Sequence, residues 1–273
     1  MSPADARRQA EGRGIGRGAD YRPWLTVQEV PSHGLSSREY GYMTGREHHC
    51  LSSGEADCFV LLEHLPFVTD IREQFPLLPL DTTRRIAAEL GVAHPRAPGT
   101  GCLNVCTTDF VVTVAANGQT WDEAIAYKQA VALDDGDVLD KLEIERRFWA
   151  ERGVPWRIVT DQDLPTTRLK NVRWARGRAD PRGFDLPAGY TTDRLIPLLL
   201  DDLMGRPDAA LASACRAFDD RVGLPLSTAL SLVRHALATG RWEANLDAEF
   251  DPARLPLPGL RAAARTAMPE DAA

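Results

Sequence analysis

The segment from Thr107 to Lys128 constrains the fold of this 273-residue chain most strongly, because it predicts two paired strands. Its first part, Thr107–Val114, is β-branched and aromatic, which favours a pleated strand. Asn117 and Gly118 follow, and both residue types tolerate the positive φ of a tight hairpin turn. Ala124–Lys128 then predicts a return strand, so the whole segment predicts an antiparallel hairpin.

This hairpin would bring a carboxylate and a lysine together. Asp109 lies near the start of the first strand and Lys128 near the end of the second, so antiparallel pairing places them side by side. Such a pair can hold a divalent metal ion and position a water for attack on a phosphodiester. Asp and Lys on the solvent face of a hairpin are common, however, and more often form a cross-strand ion pair that has no catalytic role. The two residues alone leave both interpretations open.

The elements around the hairpin predict an α/β unit. Ser52 and Glu55 have the spacing of a capping box at a helix start, which gives Glu55 a structural interpretation beside any catalytic one. The order of the elements indicates a mixed sheet flanked by helices. The predicted elements are a helix over 53–65, an extended segment over 67–78, a helix over 82–90, a loop over 93–102, a helix over 134–153 and a strand over 155–160.

The N-terminal residues give weaker signals. Residues 1–20 are rich in Arg, Gly and Ala and predict a flexible basic arm, which in a DNA-binding protein would lie on phosphates. The glycine pattern over 14–19 superficially matches a dinucleotide-binding loop, but no predicted strand precedes it, so that function is rejected. Residues 24–30 predict a short strand that ends at Pro31.

Charge and cysteine usage narrow the functional classes. The net charge of −7 does not indicate nucleic-acid binding. The basic run over 166–182 predicts a solvated linker, although it also permits nucleic-acid binding locally. The five Cys residues form no CxxC pair, and the group His48, His49, Cys50 and Cys58 matches no standard zinc spacing, so reduced thiols are expected.

The sequence shows no signal-peptide core and no run of about 20 apolar residues. A soluble, cytoplasmic protein with no membrane contact is therefore expected.

The C-terminal part, residues 166–273, predicts a mostly helical, winged-helix-like domain. Three helices are predicted over 192–204, 207–222 and 227–238, followed by short strands over 241–246 and 253–257. In such folds the third helix often reads DNA. Here Arg234 and His235 are the side chains of that helix that could extend a polar group to DNA, so contact with a partner protein is an equal alternative.

Several blocks of the chain together resemble one family, TnsA, the endonuclease subunit of heteromeric cut-and-paste transposases. The resemblance is specific because the blocks are long and follow one order. It runs from Glu11 to Trp174 and beyond Arg178 is limited to architecture. The matching blocks are Glu11–Gly14, Asp20–Pro31, Thr44–Arg46 with His48 and His49, Asp70–Pro79, His94–Pro95, Thr108–Phe110, Lys141–Trp149 and Ile158–Asp161.

This resemblance implies a restriction-endonuclease-like, PD-(D/E)XK core over residues 1–165. It also implies metal-dependent cleavage of the 5′ strand at each transposon end, with Mg²⁺ as the cofactor and Mn²⁺ as a possible substitute. The implied partners are transposon-end DNA, a DDE transposase of the TnsB type that cuts the 3′ strand, and an AAA+ ATPase of the TnsC type.

The resemblance also assigns the site residue by residue. It places the helix carboxylate on Glu55 rather than Glu63, the strand carboxylate on Asp109 and the lysine on Lys128. Glu55 and Asp109 would supply oxygen ligands suited to Mg²⁺, and the main-chain carbonyl of Tyr127 would complete the metal shell. Lys128 would orient the attacking water and offset developing negative charge.

One departure from the family pattern leaves alternatives open. The Gln that the family carries two residues before the lysine falls on Ala126 here. We expect an active site nevertheless, with a neighbouring main-chain carbonyl as the ligand, because Glu55, Asp109 and Lys128 are all present. If that Gln were an obligatory ligand, the protein would be inactive.

Two other functions remain open for the chain as a whole. One is a catalytically weak or inactive scaffold that recruits other transposition proteins, and the other is a stand-alone restriction-type nuclease.

Overall fold

A four-stranded mixed sheet forms the centre of the first of two compact units, Met1–Leu164 and Pro165–Ala273. The computed structural model describes residues 1–29, 35–97, 99, 101–178, 180 and 183–263. In chain order the first unit contains α1 (Pro3–Ala10), β1 (Ser37–Gly41), β2 (Arg46–Cys50), α2 (Ser53–Glu63), β3 (Val68–Pro76), α3 (Leu80–Leu90), β4 (Thr107–Ala116), β5 (Gln119–Lys128), α4 (Gly136–Ala150) and β6 (Trp156–Thr160). The strand order is β3-β4-β5-β6, with β6 parallel to β5 and the other pairs antiparallel.

The predicted hairpin is confirmed as β4 and β5. Asn117 and Gly118 form its turn with φ of 53° and 73°, the left-handed conformations that these residue types accept. The return strand begins at Gln119 rather than at the predicted Ala124. Pairing ends where Phe110 lies opposite Ile125, so the two strands separate just before the predicted catalytic residues.

Apolar side chains from the sheet and two helices form a core on one face of the sheet. Val111 and Ala124 of the hairpin pack with Ile86 of α3 and with Ile144 and Phe148 of α4. The predicted helices over 53–65, 82–90 and 134–153 and the strand over 155–160 are confirmed, with ends that differ by a few residues. The architecture is therefore the predicted mixed sheet flanked by helices.

The N-terminal predictions were wrong. Residues 1–20 do not form a flexible arm, because α1 is anchored through Asp5, which is 2% exposed and accepts hydrogen bonds from Trp24 Nε1 and the Val105 amide. Residues 24–29 form no strand, and Trp24 is fully buried; Val30 and Pro31 lie outside the described residues. Strands β1 and β2 form a hairpin that the sequence did not predict.

The second unit contains α5 (Thr166–Arg176), α6 (Thr192–Met204), α7 (Leu211–Val222), α8 (Thr228–Ala238), β7 (Trp242–Glu243) and β8 (Arg261–Ala262). The three predicted helices are confirmed as α6, α7 and α8. The linker predicted over 166–182 was wrong for 166–176, because that stretch is α5 and buries Asn171, Val172 and Ala175. The strand predicted over 253–257 was also wrong, since β7 pairs with β8. No helix of the described residues is long and apolar enough to cross a membrane.

Candidate active site

Asp109 and Lys128 meet at the open end of the β4–β5 hairpin. Since strand pairing stops at Phe110 and Ile125, the Asp109 carboxylate takes up the next amide, and its Oδ2 accepts the Tyr127 N–H at 2.8 Å. The same oxygen lies 2.8 Å from Lys128 Nζ. The predicted proximity of Asp109 and Lys128 is confirmed by this distance.

Lys128 is held by two oxygen atoms. Its Nζ donates to Asp109 Oδ2 and, at 2.7 Å, to the main-chain carbonyl of Tyr127. Burial opposes the charged form, but the neighbouring Asp109 carboxylate outweighs it and holds the pKa of Lys128 above its ordinary value. Lys128 is therefore a cation at neutral pH.

The donors at this point fit a small divalent cation. Asp109 Oδ2 and the Tyr127 carbonyl converge on the Lys128 ammonium, so two of the predicted metal ligands already share a site for positive charge. Among the described residues no cluster of three or more His, Cys, Asp or Glu side chains could hold a metal ion. A metal here would rest on two carboxylates, one carbonyl and water, which is the sparse protein shell usual for Mg²⁺.

Glu55 lies in the first turn of α2 and is 9% exposed. Its carboxylate accepts the Leu51 N–H at 2.9 Å and the Ser52 hydroxyl at 3.1 Å. The predicted capping box would use the Ser52 amide instead, so that detail was wrong, although the Ser52 hydroxyl does cap the Glu55 amide. Burial first, and then the charge of Asp109, raise the pKa of Glu55 to about 7.

The start of α2 and the end of β5 approach each other closely. A Cβ atom on Gly54 would lie 2.0 Å from Tyr127 Oη, so only glycine permits this packing. The contact ties the residue before Glu55 to the residue before Lys128. The predicted site residues are thus brought together from α2, β4 and β5.

Ala126, the departure from the family pattern, is fully buried. A side chain at this position meets packed protein rather than solvent. A larger residue would have to displace its neighbours, a change that typically costs about 1–3 kcal/mol.

Two further polar residues near the site were missed by sequence reasoning. Gln74 of β3 donates from Nε2 to Glu55 Oε2 at 3.1 Å. Glu145 of α4 is 7% exposed and accepts the Trp156 Nε1–H at 2.9 Å. Burial first, and then the charge of Asp109, raise the pKa of Glu145 to about 7. Glu145 could have been noticed in the sequence as a charged residue on a buried helix face, because it falls on the same helical stripe as the apolar residues Leu142 and Trp149.

A second polar cluster has the order of a nucleophile triad but is structural. The Thr44 hydroxyl lies 2.7 Å from His48 Nε2, and His48 Nδ1 lies 2.7 Å from Glu73 Oε2. Thr44, His48 and Glu73 are 6%, 0% and 0% exposed, so no substrate reaches them. Arg46 also bonds both carboxylate oxygens of Glu73. The cluster fastens the β1–β2 hairpin to β3.

The polar residues of α8 are used within the second unit. Arg234 Nε donates to the Trp174 carbonyl at 2.7 Å, and its guanidinium lies over the Trp174 ring. His235 is 5% exposed and packs edge-on against Phe184. Neither side chain extends freely from the helix, which weakens the idea that α8 reads DNA.

Comparison with known proteins finds similarity over most of the chain. A family model described as TnsA-like endonuclease N terminal matches residues 65–161, and one described as TnsA endonuclease C terminal matches residues 163–246. The chain is similar to the Escherichia coli protein "Transposon Tn7 transposition protein TnsA", with 42% identity over 246 residues, which is 90% of this chain and 86% of the relative. The first matched range contains Asp109 and Lys128, and Glu55 precedes it.

Proposed function

The chain belongs to the TnsA family of transposition endonucleases, and we propose that it cuts the 5′ strand at transposon ends by metal-dependent hydrolysis. The observation that supports this most directly is the convergence of Asp109, Lys128 and the Tyr127 carbonyl at the end of the β4–β5 hairpin. Glu55 adds a second carboxylate whose pKa responds to Asp109.

Each residue would have a separate role, either in metal binding or in orienting the attacking water. Glu55, Asp109 and the Tyr127 carbonyl would hold Mg²⁺, or Mn²⁺ in its place. When bound, this cation supplies charge stabilisation at the scissile phosphate and lowers the pKa of a water. Lys128, which is protonated, would orient the attacking water and offset negative charge on the phosphate. Tyr127 N–H and Lys128 keep the Asp109 carboxylate in place before substrate arrives.

Each of the two units can be assigned a fold type from the positions of its functional residues. We assign the first unit to the PD-(D/E)XK nucleases, because the two hairpin strands carry Asp109 and Lys128 and α2 carries Glu55 beside the same sheet. We assign the second unit to a winged-helix-like domain that docks a partner. Because Arg234 and His235 of α8 are engaged in contacts within this unit, we expect its binding partner to be a protein rather than DNA.

The proposed partners follow from membership of the family. A TnsB-like DDE transposase would cut the 3′ strand of the transposon-end DNA, and a TnsC-like AAA+ ATPase would dock on the second unit. The geometry argues against an inactive scaffold, because Asp109 and Lys128 are in contact and Glu55 lies near enough for the charge of Asp109 to raise its pKa. A stand-alone nuclease is the remaining alternative, and it predicts cleavage by the purified chain without any partner.

Strand-resolved cleavage of end DNA tests this function. The full chain is incubated with labelled transposon-end duplex, alone and together with the DDE transposase and the ATPase. Each mixture is assayed with Mg²⁺, with Mn²⁺ and with a chelator. We expect 5′-strand cuts only in the complete mixture and only with a divalent metal. Cuts by the chain alone would support the stand-alone nuclease, and cuts in chelator would exclude the metal-dependent mechanism.

A further inference from the structure

Gln74 has a backbone conformation that is unusual for its place in the fold. It lies within β3 with φ of 48°, in the left-handed region that most side chains avoid. Two other non-glycine residues of the described part of the chain share this feature, Asn117 in the hairpin turn and Ser227 at the N-cap of α8. Gln74 is the one within a strand, and such conformations persist where the surrounding contacts demand them.

The contacts of Gln74 account for this conformation. The residue is 2% exposed, and its carbonyl accepts the Trp24 amide at 3.1 Å. Its side-chain Nε2 donates to Glu55 Oε2 at 3.1 Å, and its Oε1 accepts the Thr107 hydroxyl at 3.2 Å. The amide therefore bridges the proposed helix carboxylate and the first residue of β4.

Gln74 also lies across the sheet from the other proposed metal carboxylate. In the register of β3 and β4, Glu73 pairs with Phe110 and Phe75 with Thr108, which puts Gln74 opposite Asp109. On the other side of Asp109, its carboxylate bonds the Tyr127 amide. The left-handed residue thus occurs at the point of β3 that adjoins both carboxylates.

The hydrogen bonds to Glu55 are divided between its two oxygens. Oε2 accepts both N–H donors, from Leu51 and from Gln74, whereas Oε1 accepts the Ser52 hydroxyl. Leu51 and Ser52 belong to the segment that leads into α2, so Gln74 is the donor that the sheet supplies. A donor on the sheet fixes the carboxylate relative to Asp109 and not only to its own helix.

We propose that Gln74 is a positioning residue of the nuclease, whose amide fixes the rotation of the Glu55 carboxylate. With both N–H donors on Oε2, Oε1 accepts the Ser52 hydroxyl and has a further lone pair for the metal ion. This inference rests on the proposed metal-dependent function. It explains why a glutamine occupies a left-handed position. Glycine accepts that backbone but has no amide, and asparagine accepts it with a side chain one methylene shorter.

The test uses the full chain with Gln74→Met, which keeps the length of the side chain and removes its donor and acceptor. Mn²⁺ binding is measured by electron paramagnetic resonance without DNA, and the Mg²⁺ dependence of 5′-strand cleavage is measured with the partners. We expect Mn²⁺ affinity about tenfold lower, the usual effect of removing an outer partner of a metal ligand. We also expect a higher half-maximal Mg²⁺ concentration and an unchanged KM for end DNA.

Two further variants keep the test decisive. Gln74→Asn suits the backbone but cannot reach Glu55, so it should reproduce the shift in metal dependence even if the Met variant fails to fold. Asp109→Ala serves as the reference for the proposed function itself. If Asp109→Ala abolishes cleavage while both Gln74 variants keep wild-type Mn²⁺ affinity and Mg²⁺ dependence, the role of Gln74 is overturned and the nuclease function stands. If Asp109→Ala cleaves normally, both proposals fail.

Discussion

At the scale of single residues, the position of the Lys128 ammonium says most about the site. It bonds Asp109 Oδ2 and the Tyr127 carbonyl, the two oxygens that a metal ion would share. The ammonium and a metal ion would therefore compete for the same two oxygen atoms. Two unit charges 4 Å apart near a protein surface interact with about 4 kcal/mol, so this competition is large enough to measure.

Lys128→Met should separate metal binding from catalysis. Removing the ammonium removes its repulsion of the metal, so we expect Mn²⁺ to bind about tenfold more tightly, a gain of ~1.4 kcal/mol. We expect 5′-strand cleavage to be lost, because the water would have no lysine to orient it. Calorimetric titration of Mn²⁺ into wild type and variant measures the first effect. Weaker binding by the variant would show that Lys128 supports the metal site instead of competing with it.

The sequence made part of this site predictable. Asp109 and Lys128 could be paired because a turn at Asn117 and Gly118 fixes the strand register. Glu55 required the family resemblance, since its local pattern fits a helix cap equally well. Gln74 could not be found from local pattern, because it acts through contacts between elements distant in the chain. Glu145 could be noticed only through its position on the apolar stripe of α4, which does not reveal its bond to Trp156.

At the scale of elements, the buried Glu73 determines how the β1–β2 hairpin joins the sheet. Its carboxylate bonds Arg46 and His48, and its Oε1 accepts the His49 amide at 3.1 Å. Burial opposes ionisation, but His48 and Arg46 outweigh it and hold the pKa of Glu73 at about 2. Since α2 follows β2 directly, this attachment also sets where α2 begins and where Glu55, in its first turn, lies.

Glu73 should give the protein a specific acid sensitivity. Its folded pKa lies below the ordinary value of 4.5, so its contribution to stability is present above pH 4.5 and is lost as the pH falls through about 2. Glu73→Gln should lower the free energy of unfolding at pH 7 by about 3–5 kcal/mol, because it leaves Arg46 buried without its counter-charge. It should also flatten the loss of stability between pH 4.5 and 2.

Urea unfolding across this pH range measures both effects. Glu151→Gln is the matched control, since it removes an exposed carboxylate that pairs with Arg85, and exposed pairs contribute little to stability. The control should follow the wild-type curve. If Glu73→Gln keeps the full acid-induced loss of stability, the acid sensitivity belongs to other groups.

Elements with strong local signals were predictable, and those that depend on distant partners were not. The β4–β5 hairpin and α4 have turn and cap residues of their own, Asn117 and Gly118 in one case and Asp135 in the other. In contrast, α5 carries a basic run that looks like a solvated linker. Its helix is stabilised by buried Asn171, whose Nδ2 donates to the Leu246 and Ala248 carbonyls.

At the scale of the whole molecule, two compact units meet in the chain at Leu164 and Pro165, and the two TnsA family matches meet at nearly the same point, 161 and 163. The sequence predicted a mixed sheet with flanking helices and a mostly helical C-terminal part. The net charge of −7 gave no indication of DNA as a substrate. Membership of the TnsA family of transposition endonucleases was predictable from long sequence blocks and not from composition.

We propose that Asp109 and Lys128 form the centre that cuts the 5′ strand, and strand-resolved cleavage by Asp109→Ala is the decisive experiment. The assay combines the variant chain, end DNA, the DDE transposase, the ATPase and Mg²⁺. Glu123→Ala is the matched control, because Glu123 is a carboxylate of the same hairpin that pairs with Arg157. We predict that Asp109→Ala loses 5′-strand cuts and keeps 3′-strand cuts, while the control retains both. Normal 5′-strand cleavage by Asp109→Ala would show that Asp109 is not part of the catalytic centre.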